Sequence, residues 1–265
     1  MSKPQSIQVL ALHGISFYWA SYFLGSSLAF RAARLYEFCR FVDDIADGDL
    51  PNRQESLQEI HHSLVDSVSS TQTSKIPELN DFLNLAKEAN IPLAAAHELL
   101  EGMLLDQKPV ELKTEIELLR YCHAVAGTVG LMMCRVLNCN HERADSFAID
   151  LGIAMQLTNI ARDVIEDKKM NREYIKPDFE NIQATLKLAE MFYESSFSSI
   201  QKIPFKYKFS IIVARRIYRQ IGRKILQKGN MENYEKSGKI YVNNFEKIYH
   251  TIISCLLYTS PSPRD

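Results

Sequence analysis

Apolar residues recur along the chain at helical spacing, and little of the sequence alternates between apolar and polar residues with a period of two. A repeat of three or four residues places apolar side chains on one face of an α-helix. The clearest stripes are Leu57, Ile60, Leu64 and Val68, followed much later by Ile211, Val213, Ile217, Ile221 and Ile225. The pattern predicts an all-α protein.

Prolines and helix-start signals give the predicted boundaries. Proline breaks a helix interior, and here it separates the apolar stripes at positions 51, 77, 92, 109, 177, 204 and 261. Thr114 stands three residues before Glu117, the spacing of a capping box. No proline occurs between 109 and 177, so we expect two long helices there that meet near residues 138–140.

The N-terminal segment from Gln5 to Phe30 contains no Lys, Arg, Asp or Glu. This lack of charge is shared with signal peptides and membrane spans, but polar residues interrupt the segment repeatedly. No block of about 18 to 20 predominantly apolar residues remains, as a membrane span would need. We therefore expect a soluble protein whose first two helical segments are uncharged and line either a core or an apolar cavity.

Composition changes this picture in three respects. The chain has 265 residues, of which 46% are hydrophobic, and it contains neither an internal repeat nor a domain linker. We therefore expect one α-helical domain over residues 1–258. Residues 259–265 are expected to form an unstructured or non-native tail. The formal charge of −1 provides no basic surface for nucleic acid. The five cysteines form no CxxC pair, which indicates neither a disulfide framework nor a zinc cage and fits a reducing cytoplasm.

A first polar stripe consists of Tyr36, Arg40, Asp43 and Asp47, which share one helix face because they are spaced by four, three and four residues. The two carboxylates lie about 6 Å apart along the helix axis and repel each other. A magnesium ion relieves such repulsion, since it binds one or two carboxylates and completes its shell with water and substrate phosphate. The alternative is a solvated acidic end of a helix.

A second polar stripe again has spacings of three and four residues, on a helix that is otherwise apolar. It comprises Gln156, Asn159, Asp163 and Asp167. Burying amides and carboxylates is unfavourable unless a ligand, metal or water satisfies them. Two such stripes indicate carboxylate pairs that face each other across a cavity and hold more than one magnesium ion with a diphosphate. A network of helix-capping residues is the alternative.

Two glycines, Gly127 and Gly130, interrupt the helical segment that begins at Tyr121. A glycine inside a helix costs about 1 kcal/mol relative to alanine. The cost is understandable where a bulky ligand or another helix backbone approaches closely. Both explanations remain open at this point.

Together these motifs resemble the squalene/phytoene synthase family over residues 8–250. Within that family, their sequences are most similar to those of bacterial phytoene synthases. The motifs that carry the resemblance are Ser16-Phe17, Cys39–Asp47, Tyr121–Gly130, Gln156–Asp167 and Asn171–Ile175. The resemblance implies a single isoprenoid-synthase-type helical bundle around a deep apolar cavity, with the two aspartate motifs on opposing helices at its mouth.

The resemblance also implies roles for individual residues. Two or three Mg²⁺ ions would be held by the catalytic residues Asp43, Asp47, Asn159, Asp163 and Asp167. The reaction chamber would be lined by two further catalytic residues, Tyr121 and Gln156. Substrate would be bound by His13, Ser16, Phe17, Tyr36, Arg40, Arg162, Arg172, Tyr174 and Tyr234. The segment 231–242 departs from the family pattern, and there Tyr234 and Lys239 take the place of aromatic and arginine residues.

The activity implied is a Mg²⁺-dependent prenyltransferase reaction in carotenoid biosynthesis. Two geranylgeranyl diphosphates would condense head to head to phytoene through prephytoene diphosphate, and diphosphate would be released. Mg²⁺ would stabilise the departing charge, and the apolar wall would keep water from the carbocations. The expected partners are prenyl diphosphates, with peripheral contact at the inner face of the membrane for an insoluble product and no obligate protein partner.

Other functions remain as alternatives. Squalene, dehydrosqualene or presqualene diphosphate synthases use two farnesyl diphosphates, and only squalene synthesis would require NADPH. Terpene cyclases and chain-elongating prenyltransferases also carry a DDxxD string, but the second motif of this chain does not fit either class. A non-catalytic scaffold of the same family is a remote alternative, because both acidic motifs are intact.

Overall fold

The computed structural model describes residues 5–48, 52–69, 74–139, 143–200 and 205–259, and within these ranges the chain is almost entirely helical. The all-α prediction is therefore confirmed. The helices are α1 Gln5–His13, α2 Ile15–Ser21, α3 Ser26–Asp47, α4 Arg53–Ser69, α5 Pro77–Ala89, α6 Leu93–Leu105, α7 Glu115–Cys122, α8 Thr128–Val136, α9 Ala144–Lys169, α10 Phe179–Ile200, α11 Phe205–Leu226, α12 Met231–Lys236 and α13 Asn244–Thr259.

The apolar stripes form the inward faces of α4 and α11. In α4, Leu57, Ile60 and Leu64 are almost completely buried, whereas the side chain of Val68 lies outside the described residues. In α11 the stripe residues Val213, Ile217, Ile221 and Ile225 are buried, whereas Ile211 is only half-buried. Burial of each such side chain contributes roughly 1.5 to 3 kcal/mol to folding, so the stripes orient both helices.

The interval between residues 109 and 177 differs in part from its prediction. A run of helix from Glu115 to Val136 precedes α9, but the run contains a π-helical segment, His123–Gly127, between α7 and α8. The predicted capping box is present, because Thr114 accepts from the backbone N–H of Glu117 and the Glu117 side chain accepts in return. The predicted junction extends to residue 140, which lies outside the described residues.

A pair of two-residue strands was not expected from the sequence. Strand β1 (Val110–Glu111) pairs in parallel with β2 (Arg172–Glu173), with Val110 opposite Arg172. Strand β1 lies shortly before α7, and β2 lies shortly after α9. The pairing therefore brings the residues after α9 against the residues before α7.

The buried side chains form separate clusters around the two helices that carry the polar stripes. Leu35, Phe38 and Val42 of α3 belong to a cluster shared with α4, α5, α6 and α8. Ala161 and Val164 of α9 belong to another, shared with α10, α11 and α12. Helix α9 shares the α3 cluster only near its N-terminus, through Ala144, so further along the two helices pack into different clusters.

The N-terminal segment forms helices α1 and α2, as expected. Helix α1 packs on α3, and α2 packs on α11. None of the helices in the described ranges combines the length and apolar character that crossing a membrane requires. Of the predicted tail, Thr259 ends α13, and residues 260–265 lie outside the described residues.

Candidate active site

A cavity of about 320 Å³ lies between α2, α3, α8, α9 and α11. Its wall is mainly apolar, with Phe17, Leu35, Met133 and Phe147 among the lining residues. Polar groups also enter the wall, and three of them are Tyr36, Gln156 and Asn159. In both α3 and α9 the lining residues precede the acids in the chain, so the two acidic ends lie beyond the cavity.

Two acids of α3, Asp43 and Asp44, are held by an arginine of the same helix. Arg40 Nη1 donates to Asp43 Oδ2 at 3.0 Å, and Nη2 contacts Asp44. Burial, together with the charge of Asp47, raises the pKa of Asp43 to about 6. The Nε of Arg40 is shielded from solvent and has no hydrogen-bond partner among the described residues. This end of α3 thus combines crowded negative charge with an unused buried donor.

The acids of α9 show similar crowding. Arg162 binds Asp163 through two hydrogen bonds, of which the one from Nε is 2.8 Å long. Burial and the charge of Asp163 raise the pKa of Asp167 to about 7. Lys239 Nζ lies 4.0 Å from Asp163 Oδ1 and 3.2 Å from Glu166 Oε2. The atypical C-terminal segment therefore supplies a cation to this stripe.

Arg172 connects the two stripes. It lies in β2, shortly after α9, and its Nη1 donates to Asp47 Oδ1 of α3 at 2.6 Å. Its charge lowers the pKa of both Asp43 and Asp167, against the larger effect of burial. The charge of Asp47 in turn raises the pKa of Asp167. The acidic ends of α3 and α9 are thus close enough to act on each other electrostatically.

Tyr121 and Tyr174 meet beside the acids because the strand pair joins their segments. The two rings stack with centroids 4.5 Å apart, and the hydroxyl oxygens are 2.9 Å apart. Tyr121 Oη donates to Asp106 Oδ2 at 2.7 Å, while Asp106 Oδ1 is buried without a partner among the described residues. Burial raises the pKa of all three groups. Asp106 was missed by sequence reasoning, since this acid just past the end of α6 belongs to no motif.

The other residues predicted to bind substrate are more scattered. His13 is exposed at the end of α1, and Ser16 is half-buried in α2. Phe17 lies in the cavity wall, with its ring centroid 5.3 Å from that of Tyr218 and 6.4 Å from that of Tyr36.

Tyr234 is buried against α9, where its Oη donates to the carbonyl oxygen of Arg162 at 2.5 Å. The structure therefore places the Tyr234 hydroxyl on the backbone of α9, where it supports the residues next to Asp163.

The glycines of the Tyr121–Gly130 segment allow close helix packing. A Cβ on Gly130 would lie 2.1 Å from the carbonyl oxygen of Ala148 in α9. A Cβ on Gly152 of α9 would lie 2.2 Å from the carbonyl oxygen of Ala126. No real Cβ tolerates such distances to backbone atoms. Of the two open explanations, close approach of another helix accounts for Gly130, which also lines the cavity.

The residues at the acidic ends fit a hard divalent cation. The side-chain oxygen of Asn159 is buried and has no hydrogen-bond partner in the described part of the chain. The carboxyl groups of Asp43 and Asp167 have raised pKa values, partly because neighbouring carboxylates repel them. An all-oxygen donor set with excess negative charge is the type that Mg²⁺ prefers.

Comparisons with known proteins agree with this geometry. The sequence model of the family described as Squalene/phytoene synthase matches residues 10–179. The chain is 33% identical over 227 residues to a 15-cis-phytoene synthase from a Paracoccus species, covering 76% of this chain and 74% of that protein. It is 29% identical over 254 residues to the 15-cis-phytoene synthase of Pantoea ananas, covering 84% and 82%.

Solved structures show the same fold. A crystal structure of a dehydrosqualene synthase in complex with a ligand is 25% identical and superposes with a TM-score of 0.83, covering 97% of this chain and 96% of that one. The architecture is therefore that of the isoprenoid-synthase-type helical bundle. Because the family model spans well over half of the chain and the fold agrees throughout, this protein belongs to the squalene/phytoene synthase family.

Proposed function

We propose that the protein condenses two geranylgeranyl diphosphates head to head into phytoene, through prephytoene diphosphate, and releases diphosphate. One observation carries the proposal: two acidic helix ends, linked by the Arg172–Asp47 ion pair, lie beyond an apolar cavity. The similarity to 15-cis-phytoene synthases supports the same substrate class. In such an arrangement, the diphosphate groups would lie at the acidic ends and the prenyl chains in the cavity.

Four cations near the acids would bind the diphosphates. They are Arg40, Arg162, Arg172 and Lys239, and each contacts a carboxylate in the structure. Arg40 has in addition its buried Nε, which has no hydrogen-bond partner among the described residues and would donate to a phosphate oxygen. Charge-assisted hydrogen bonds from guanidinium to phosphate are short and strong. The arginines would therefore orient the leaving groups and hold their charge as it develops.

The residues that would hold Mg²⁺ are Asp43 and Asp47 on α3, and Asn159, Asp163 and Asp167 on α9. When bound, the ion supplies Lewis-acid stabilisation of the negative charge on the departing diphosphate. The unsatisfied oxygen of Asn159 and the raised pKa values of Asp43 and Asp167 support this assignment.

The cavity wall would protect the allylic cation that remains after the C–O bond breaks. The rings of Phe17, Tyr36 and Tyr218 border the cavity, and aromatic faces attract positive charge. Cys39 also lines it, but burial raises the pKa of its thiol to about 12. This thiol is therefore un-ionised and poorly nucleophilic. With water excluded, the double bond of the second substrate would be the group that attacks the cation.

Substrate length is the finer part of the proposal, and the structural similarity to a dehydrosqualene synthase favours a second candidate that uses two farnesyl diphosphates. Purified protein with Mg²⁺ should be incubated with C15 or C20 diphosphate, each with and without NADPH, and the products extracted and identified. We expect phytoene from the C20 substrate without NADPH. Turnover of the C15 substrate alone would establish the second candidate instead.

Peripheral contact with the inner face of a membrane is a further part of the proposal, together with a cytoplasmic location. The product has no polar group and would need an apolar destination. Helix α13 leaves Phe245 85% exposed, and Tyr249 and Ile252 are exposed on the same helix. Exposed apolar side chains clustered on one helix are suited to the lipid surface.

Removing one carboxylate should stabilise the metal-free protein. In the folded protein Asp167 has a pKa of about 7, well above that of an unfolded chain, so ionisation destabilises the fold as pH rises from about 4 to 7. At pH 8 without metal, Asp167→Asn should therefore raise the free energy of unfolding by about 1 kcal/mol. This is less than the full effect of the pKa difference, because solvent screens the charge of a partly exposed side chain. Melting temperatures with EDTA and with Mg²⁺ provide the measurement.

The same variant should lose part of the stabilisation that Mg²⁺ gives the wild type, because a bound ligand stabilises the folded state according to its affinity. At pH 4 the advantage of Asn should disappear, since the carboxyl group is then protonated in the folded protein. If Asp167→Asn responds to Mg²⁺ as the wild type does, Asp167 is not a ligand.

A further inference from the structure

Two histidines and a glutamate come together between α4 and α6, and none of them belongs to the acidic stripes. His61, His97 and Glu101 each offer one potential ligand atom, and these atoms all lie within 4.8 Å of one another. The imidazole rings of the two histidines have centroids 4.0 Å apart. His97 Nδ1 lies 3.7 Å from Glu101 Oε1, one turn along α6. The cluster thus combines a helical i, i+4 pair with a third donor from the neighbouring helix.

His61 lacks a partner for one of its nitrogens. Its Nε2 is shielded from solvent and makes no hydrogen bond within the described ranges. Leaving a buried polar atom unsatisfied costs about 1 to 3 kcal/mol, so its persistence calls for an explanation. Burial and the neighbouring His97 also lower the pKa of His61.

The geometry points to a second metal site here, formed by His61, His97 and Glu101, for a borderline divalent cation such as Zn²⁺. Two imidazoles and one carboxylate, with water in a fourth position, form a donor set typical of zinc. Mg²⁺ prefers oxygen ligands, so the two sites of the molecule select different ions.

Small side-chain movements would complete the site. Ligands on a tetrahedral zinc ion are about 3.4 Å apart, and His97 Nδ1 and Glu101 Oε1 lie slightly further apart, at 3.7 Å. His97 is 34% exposed and Glu101 59% exposed, so both have room to change rotamer. His61 is less free to move, because its Nε2 is shielded from solvent. A bound ion would fasten α4, the first described helix after the Asp43–Asp47 motif, to α6.

The test is a Zn²⁺ titration of the untagged full chain against a chromogenic chelator, in excess Mg²⁺ so that the acidic stripes are saturated. We expect one zinc equivalent that competes with the chelator. His97→Gln and Glu101→Gln should each weaken binding by about tenfold or more, since even partners of metal ligands contribute that much. His62→Gln is the matched control, because His62 is exposed on α4 beside His61 and should leave the affinity unchanged.

Two further measurements keep the result interpretable. Co²⁺ in place of Zn²⁺ should give the visible absorption of a tetrahedral site in the wild type and lose it in His97→Gln. Circular dichroism would show that each variant is folded. We expect them to fold, because His97 and Glu101 are partly exposed. Unchanged Zn²⁺ affinity in His97→Gln and Glu101→Gln, or loss of binding on Asp163→Asn or Cys255→Ser instead, would overturn the assignment.

Discussion

Asp163→Asn should lower the turnover number by roughly 100- to 1,000-fold, as expected for removal of one preorganised electrostatic stabiliser. Asp163 sits at the centre of the α9 stripe, where Arg162 binds it and Lys239 approaches it. The amide keeps the shape of the side chain but loses its charge. Affinity for Mg²⁺ should fall, and Arg162 would be left with a neutral partner. Asp43→Asn should have an effect of the same size on the opposite helix.

The measurement is the turnover number with C20 diphosphate over a series of Mg²⁺ concentrations. A residue that binds the ion should show a larger defect at limiting Mg²⁺ than at saturation. Asp150→Asn is a suitable control, because Asp150 lies on the same helix outside the stripe, and an asparagine there can still accept the hydrogen bond from Ser195. Near wild-type activity of Asp163→Asn at limiting Mg²⁺ would refute its assignment as a metal-binding residue.

Much of the fold was predictable because helix faces repeat within a few residues. Spacing of three and four residues is enough to place Asp43 with Asp47, and Asn159 with Asp163, on shared helix faces. Such patterns report which side chains share a face. They carry no information on which other helix that face meets. The ion pair between Arg172 and Asp47 was therefore not predictable, because these residues are 125 positions apart in the chain.

Features that arise from packing were not predictable. The π-helical segment His123–Gly127 has no recognised signal in the local sequence, and in the fold it packs against both α9 and α6. The two-residue strand pair is too short for any period to reveal. Asp106 gains its place beside Tyr121 only through that pairing and the end of α6. The sequence pattern likewise gave no indication that the Tyr234 hydroxyl binds the backbone of α9.

Each arginine of the site pairs with an aspartate, but the acidic groups of the site still repel one another. Arg40, Arg162 and Arg172 each contact an aspartate, yet Asp43 and Asp167 still have raised pKa values. Burial is the larger cause, and repulsion between neighbouring acids adds to it. A site of this kind is poorly satisfied when empty and gains most from a ligand that carries both cations and phosphates.

Gly152→Ala should destabilise the protein by about 3 kcal/mol, at the upper end of the range for overpacking. The added Cβ would lie 2.2 Å from the carbonyl oxygen of Ala126, 2.8 Å from its carbonyl carbon and 3.1 Å from the Cα of Gly127. All three atoms are backbone atoms of the π-helical segment, so no side-chain rotation relieves the clash. Helix α9 must move away instead, which loosens its packing along the whole contact.

Gly222→Ala provides the matched control, because it makes the same change in helix α11. There the new Cβ would meet only the end of the Leu186 side chain, at 3.1 Å, and the gain of about 1 kcal/mol in helix propensity offsets the contact. Urea unfolding of both variants gives the comparison directly. Gly152 also precedes Gln156 by one turn, so displacement of α9 should lower activity as well as stability. Equal stability of the two variants would show that α9 and the π-helical segment do not require this close approach.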